Sequence, residues 1–203
     1  MRSIALLLSC LVLATFACMH SQADTPRPAD KKALPDAKPL TLEFSMKANG
    51  SKLHVDYKII NRTKASYWVE DVMIRPEAAA FVTTPTAMIV HAGPSANEAV
   101  FARGGVSPDS KVNIRYPPAV RLLAAGATVT GSAVIDLPLK SWISYGELNA
   151  LPGSPTQASL DIYVYAEQSP TVEISLSDGT KAKRMAWTSG PGTILHADAQ
   201  KLP

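Results

Sequence analysis

Apolar and polar residues alternate most regularly near the start of the structured part of the chain. Leu42, Phe44 and Met46 interleave with Thr41, Glu43, Ser45 and Lys47, and beyond Asn49-Gly50 the pattern returns, with Leu53, Val55, Tyr57 and Ile59 between Lys52, His54, Asp56 and Lys58. A period of two places each apolar set on one face of a strand. Asn-Gly tolerates the successive positive φ values of a type I′ turn, so this stretch predicts a hairpin with Asn49-Gly50 as its loop. In that register Met46 faces Leu53, Phe44 faces Val55 and Leu42 faces Tyr57. All the apolar residues then share one side.

The same reasoning predicts strands over 67–75, 87–91, 99–103, 112–116, 128–137, 159–166 and 171–177. A turn at Ser177-Asp178-Gly179-Thr180 then returns the chain along 181–187. Pro, Gly, Ser and Thr separate these segments at short intervals. No long stretch has a helical period, and a single helical turn is expected near 141–148. Many short strands in one unit, 40–187, predict an all-β fold of two packed antiparallel sheets, a β-sandwich. The remainder, 188–203, has few large apolar residues and is expected to be a tail with at most one short strand around 193–196.

The stretch Tyr57-Lys58-Ile59-Ile60-Asn61-Arg62-Thr63, followed by a second strand from Tyr67, resembles the opening of immunoglobulin-like accessory domains of exported bacterial proteins. Leu122-Leu123-Ala124-Ala125-Gly126-Ala127-Thr128-Val129, running into a strand that ends in Leu137-Pro138-Leu139, is similar to their continuation. The resemblance covers about 40–187. It implies an immunoglobulin-like sandwich with an interaction role, in which Trp68 takes the part of the core tryptophan.

The beginning of the chain sets the expected location. Arg2, the apolar run from Ile4 to Ala17 and the small residues of Ser21-Gln22-Ala23 form the pattern of an export signal over 1–23, so the mature protein starts at Asp24 in the periplasm or outside the cell. The apolar run is shorter than the roughly 20 residues that span a bilayer. A lipid anchor on Cys18 is the alternative, but Thr15 and Phe16 fit a lipoprotein cleavage site poorly. Both cysteines, Cys10 and Cys18, lie in the signal, so no mature disulfide or thiolate chemistry is expected. Residues 24–39 carry Pro26, Pro28, Pro35 and Pro39 among Asp, Lys and Ala, a composition for an extended leader.

Loss of Arg2 with the signal lowers the formal charge from +3 to +2. The basic residues are scattered, and nucleic acid is not an expected partner.

Chemistry-bearing residues are few. In the expected register Glu43 opposes Asp56, with His54 and Lys58 on the diagonals. Glu43, His54 and Asp56 thus offer oxygen and nitrogen ligands for a divalent cation, against the plainer reading of a solvated face balanced by Lys58. Met88 and His91 suggest copper, but residues three apart on a strand point to opposite faces. No serine sits in a Gly-x-Ser-x-Gly elbow, and Gly104-Gly105 is not followed by a helix that could cradle a phosphate. The connection 138–155 is the longest, and its Trp142 and Tyr145 are residue types that anchor interfaces.

These readings lead to an exported, non-catalytic binding module, with no cofactor, that contacts an envelope protein or cell-wall component through a sheet edge or the Trp142 loop. A protease inhibitor presenting the Leu151–Pro155 stretch, and a metal-binding envelope protein, are the alternatives.

Overall fold

The computed structural model of the chain describes residues 38–77, 80–104, 118–141, 149–151, 153–186, 188–189 and 192–203. The described residues fall in one compact unit, Ala37–Pro203. They are all-β, without a helix. The signal 1–23, Cys18, most of the leader, the strand expected over 112–116 and the helical turn with Trp142 and Tyr145 lie outside the described residues.

One sheet has three strands in the order β1 (Leu40–Asn49), β2 (Lys52–Asn61), β9 (Thr128–Asp136). The first two form the expected hairpin, but in a different register. Asn49 pairs with Lys52, Phe44 with Tyr57 and Glu43 with Lys58, so the two loop residues are Gly50 and Ser51. Gly50 has φ 58°, the left-handed conformation that glycine adopts without steric cost, while Asn49 stays in the ladder. The slip is two residues along the partner strand. An even slip preserves the faces, so Leu53, Val55, Tyr57 and Ile59 are all buried as expected.

The second sheet has the order β13 (Thr171–Ser175), β14 (Lys181–Met185), β8 (Ala119–Leu123), β3 (Tyr67–Val72), β12 (Gln157–Ala166), β7 (Glu98–Arg103), β6 (Ile89–Ala92), with β15 (Thr193–Lys201) also paired to β12. The expected tail therefore contributes a nine-residue strand. β12 is the hub. One edge carries β15, while the other carries β7 alongside 157–162 and then β3 alongside 164–166. The β7–β12 pair is parallel, a departure from the all-antiparallel expectation that the long connection between them permits.

Two small pairs complete the strands among the described residues, β4 (Ile74–Glu77) with β5 (Ala80–Thr83) and β10 (Lys140–Ser141) with β11 (Asn149–Ala150).

The inner faces of the two large sheets share one core. Phe44, Leu53, Val55 and Ile59 from the first sheet pack with Val69, Phe101, Leu123, Leu160, Ile162 and Val164 from the second. Phe101, Leu53, Ile59, Leu160 and Ile162 are fully enclosed, and each contributes about 1.5–3 kcal/mol by leaving water. Trp68 does not play the core role expected of it. It is only partly buried, its indole N–H donates to the Glu167 carbonyl at 2.9 Å, and the Lys183 ammonium lies 4.9 Å from its ring. Among the described residues no helix is long and apolar enough to cross a membrane.

Candidate binding site

The charged side chains Asp71, Arg103 and Arg121 gather along one seam, where β9 ends the first sheet and approaches the second. β9 pairs with β2 on one side only. An unpaired strand edge leaves a row of N–H and C=O groups without a ladder partner. Here those groups are met largely by side chains. Arg121 Nη2 donates to the Thr130 carbonyl at 2.8 Å, Arg103 Nη1 donates to the Ser132 carbonyl at 2.8 Å, and the Val134 N–H donates to the Thr86 carbonyl at 3.0 Å.

Both arginines are held by further contacts. Arg121 forms a two-pronged pair with Asp71, Nε to Oδ1 at 2.9 Å and Nη2 to Oδ2. Asp71 is 3% exposed and also accepts from the Tyr57 hydroxyl at 3.1 Å. Arg103 is 2% exposed, sits 5.7 Å from the Tyr57 ring centroid, and donates through Nη1 and Nη2 to the Pro85 carbonyl at 2.9 and 2.7 Å. Burial pushes the Tyr57 phenol well above its ordinary range, and the Asp71 carboxylate adds to the rise. Burial lowers the Arg103 guanidinium, with Tyr57 and Asp71 opposing the shift. Tyr57, Asp71, Arg103 and Arg121 thus form one network that fastens β9 to the opposite sheet.

Past Val134 the seam opens. A cavity of about 290 Å³ lies between β6 and β9, floored by Met88, Val90 and Ile135 and bordered by Ala87, Val134, Asp136, Leu137, Pro138 and Lys140. β6 and β9 are both terminal strands of their sheets. A second cavity of about 290 Å³ lies on the other side of Leu137 and Pro138, against Leu53, Gly153 and Leu202.

The expected cation ligands are not brought together. Glu43 and Asp56 line a broad, open depression of about 700 Å³ on the outer face of the first sheet, with Ser45, Lys58, Thr130 and Ser132. In the observed register Glu43 faces Lys58, Asp56 faces Ser45 and His54 faces Lys47. The like-charge opposition that motivated a cation site is therefore absent, and among the described residues no three His, Cys, Asp or Glu side chains could share a metal ion. Met88 is buried in the core, whereas His91, partly buried, bonds through Nδ1 to the Ala92 carbonyl, so they do not form a pair. Trp142 and Tyr145 are outside the described residues. Of the Leu151–Pro155 stretch, Leu151 is buried in the main core, and a Cβ at Gly153 would meet the Ala96 carbonyl at 2.6 Å.

Asp71, Arg103 and Arg121 were missed by sequence reasoning, although a signal exists. Asp71 shares the parity of Val69, Arg103 that of Phe101 and Arg121 that of Leu123, so each is a charge in the inward phase of its strand. No protein-family model, curated protein or solved structure matches this chain.

Proposed function

We propose that this chain is an exported, non-catalytic binding module of the bacterial cell envelope, which engages its partner at the β6–β9 seam. The reading is carried by the uneven treatment of one strand edge. β9 is closed by Arg121, Arg103 and Thr86 from Thr130 to Val134, then borders an apolar-floored cavity. Partners that bind at strand edges pair main chain with main chain beside pockets for side chains, and this seam sets the terminal strands of two sheets beside such a pocket. Export rests on the signal-like first 23 residues.

The test is photo-crosslinking in intact cells of the native host, with a crosslinking amino acid placed at Lys140 or, as a control, at exposed Lys181. One discrete envelope adduct from position 140 and none from 181 is the expected result. Equal labelling at both positions, or none at either, would remove the seam as the binding surface. Mass spectrometry of the exported protein should show a mature terminus at Asp24.

A further inference from the structure

The geometry points to an extended peptide segment as the occupant of the β6–β9 seam, with aliphatic side chains facing the sandwich and a carboxylate at the Lys140 end. This rests on the binding-module reading and narrows it to a partner class.

Three features select that occupant. First, the seam is bounded by two strands that each end a sheet. A third strand entering there can pair along an edge, which a compact or flat ligand cannot do. The arginine and Thr86 contacts fix where it enters, because the Thr130 and Ser132 carbonyls and the Val134 N–H are already engaged. Second, the cavity floor is apolar, formed by Met88, Val90 and Ile135, and its volume is about 290 Å³. A pocket of about 150 Å³ accommodates one benzene-sized group, so this one takes about two aliphatic side chains. Alternate residues of a strand point the same way, which supplies two such side chains from three residues. Third, the charge at the rim is one-sided. Asp136 is paired with Lys52, whereas Lys140 has no ion pair among the described residues. An acidic residue at that end completes the pairing.

The experiment titrates the ¹⁵N-labelled mature protein with two blocked peptides. Both are extended Thr/Val/Leu heptamers, one ending in Asp and the other in Ser. Expected are shift changes confined to 87–92 and 134–140, with the Asp peptide binding about two- to fivefold more tightly, the scale of one exposed ion pair. Lys140→Glu should abolish that preference, and Ala87→Phe, which fills the cavity, should remove binding of both peptides while the remaining spectrum stays unchanged. If Ala87→Phe fails to fold, the loss of preference in Lys140→Glu still decides the charge assignment. Absence of binding, shifts elsewhere, or indifference to both substitutions overturns the inference. If the peptides fail while crosslinking from position 140 succeeds, the peptide class falls and the binding-module reading stands. If both fail, both fall.

Discussion

Gly131 and Tyr57 are directly opposed across the β2–β9 ladder, and the phenol ring fills the space a side chain at position 131 would need. A Cβ at Gly131 would lie 2.1 Å from the Tyr57 oxygen and 2.2 Å from Cζ. An aromatic ring laid over a cross-strand glycine covers exposed backbone and fixes register. Here it also aims the hydroxyl at Asp71.

Gly131→Ala should therefore destabilise the fold by about 2–3 kcal/mol, as overpacking a closed site does. Tyr57→Phe should not rescue it, because Cζ is as close as the oxygen. Tyr57→Leu should recover part of the loss. Urea unfolding of the variants, alone and combined, reads these outcomes. A rescue by Phe would show that the hydroxyl alone sets the contact.

Asp71 is nearly enclosed, while the Arg121 side chain is 38% exposed. Removing either leaves the other without its partner, but the cost differs with burial. Arg121→Met strands a buried carboxylate and should cost about 3–5 kcal/mol. Asp71→Asn with Arg121→Met removes both charges and should recover more than half of that loss. Arg121→Lys should behave more like Arg121→Met than like wild type, since an ammonium cannot serve both Asp71 oxygens and the Thr130 carbonyl in this geometry. Double-mutant analysis of urea midpoints measures the coupling.

The core face of the first hairpin was legible because period-two patterning survives a register change of two. The pairing was not, because glycine's φ decides where the turn falls, and Asn49-Gly50 and Gly50-Ser51 are both plausible loops by composition. β15 was illegible for another reason. Its sequence, Thr193 to Lys201, has one buried residue, Ala197, and it is a strand because β12 offers an edge. Long-range pairing of this kind leaves little trace in composition. The network was only half-visible. Inward parity marks Asp71, Arg103 and Arg121 as unusual, but their meeting depends on how the sheets pack, which parity does not supply.

Burial raises the phenols of Tyr57 and Tyr165 above their ordinary value, with further contributions from Asp71 and Glu70 respectively. The folded state thus holds these protons more tightly than the unfolded chain. Their contribution is complete below the unfolded value of about 10 and is lost as pH rises above it toward the folded values. The urea midpoint should fall between about pH 9 and about pH 11, and Tyr57→Phe should make that fall shallower although it lowers the midpoint at neutral pH. An unchanged slope in Tyr57→Phe would mean that the Tyr57 proton does not distinguish the two states.

Asn61 supports the turn that follows the first hairpin. It is 1% exposed and uses both ends of its amide: Nδ2 donates to the carbonyls of Ala65 and Ala124 at 2.7 and 2.9 Å, and Oδ1 accepts from the Thr63 N–H and hydroxyl at 3.0 and 2.7 Å. The two donor bonds join the 62–66 turn to the chain just after β8, so one side chain holds two loops. Asn61→Ala should cost about 2–4 kcal/mol, because four hydrogen bonds of one buried side chain are lost together. Asn61→Asp separates the halves of the amide. It retains the bonds from Thr63 but sets a carboxylate against the Ala65 and Ala124 carbonyls, so it should be at least as damaging as Ala near neutral pH, with the loss recovered as pH falls toward the ordinary carboxylate value of about 4. Hydrogen exchange at Thr63 distinguishes the two variants. Protection that persists in Asn61→Asp and disappears in Asn61→Ala would match this division of labour, whereas equal loss in both would show that the turn depends on the donor bonds alone.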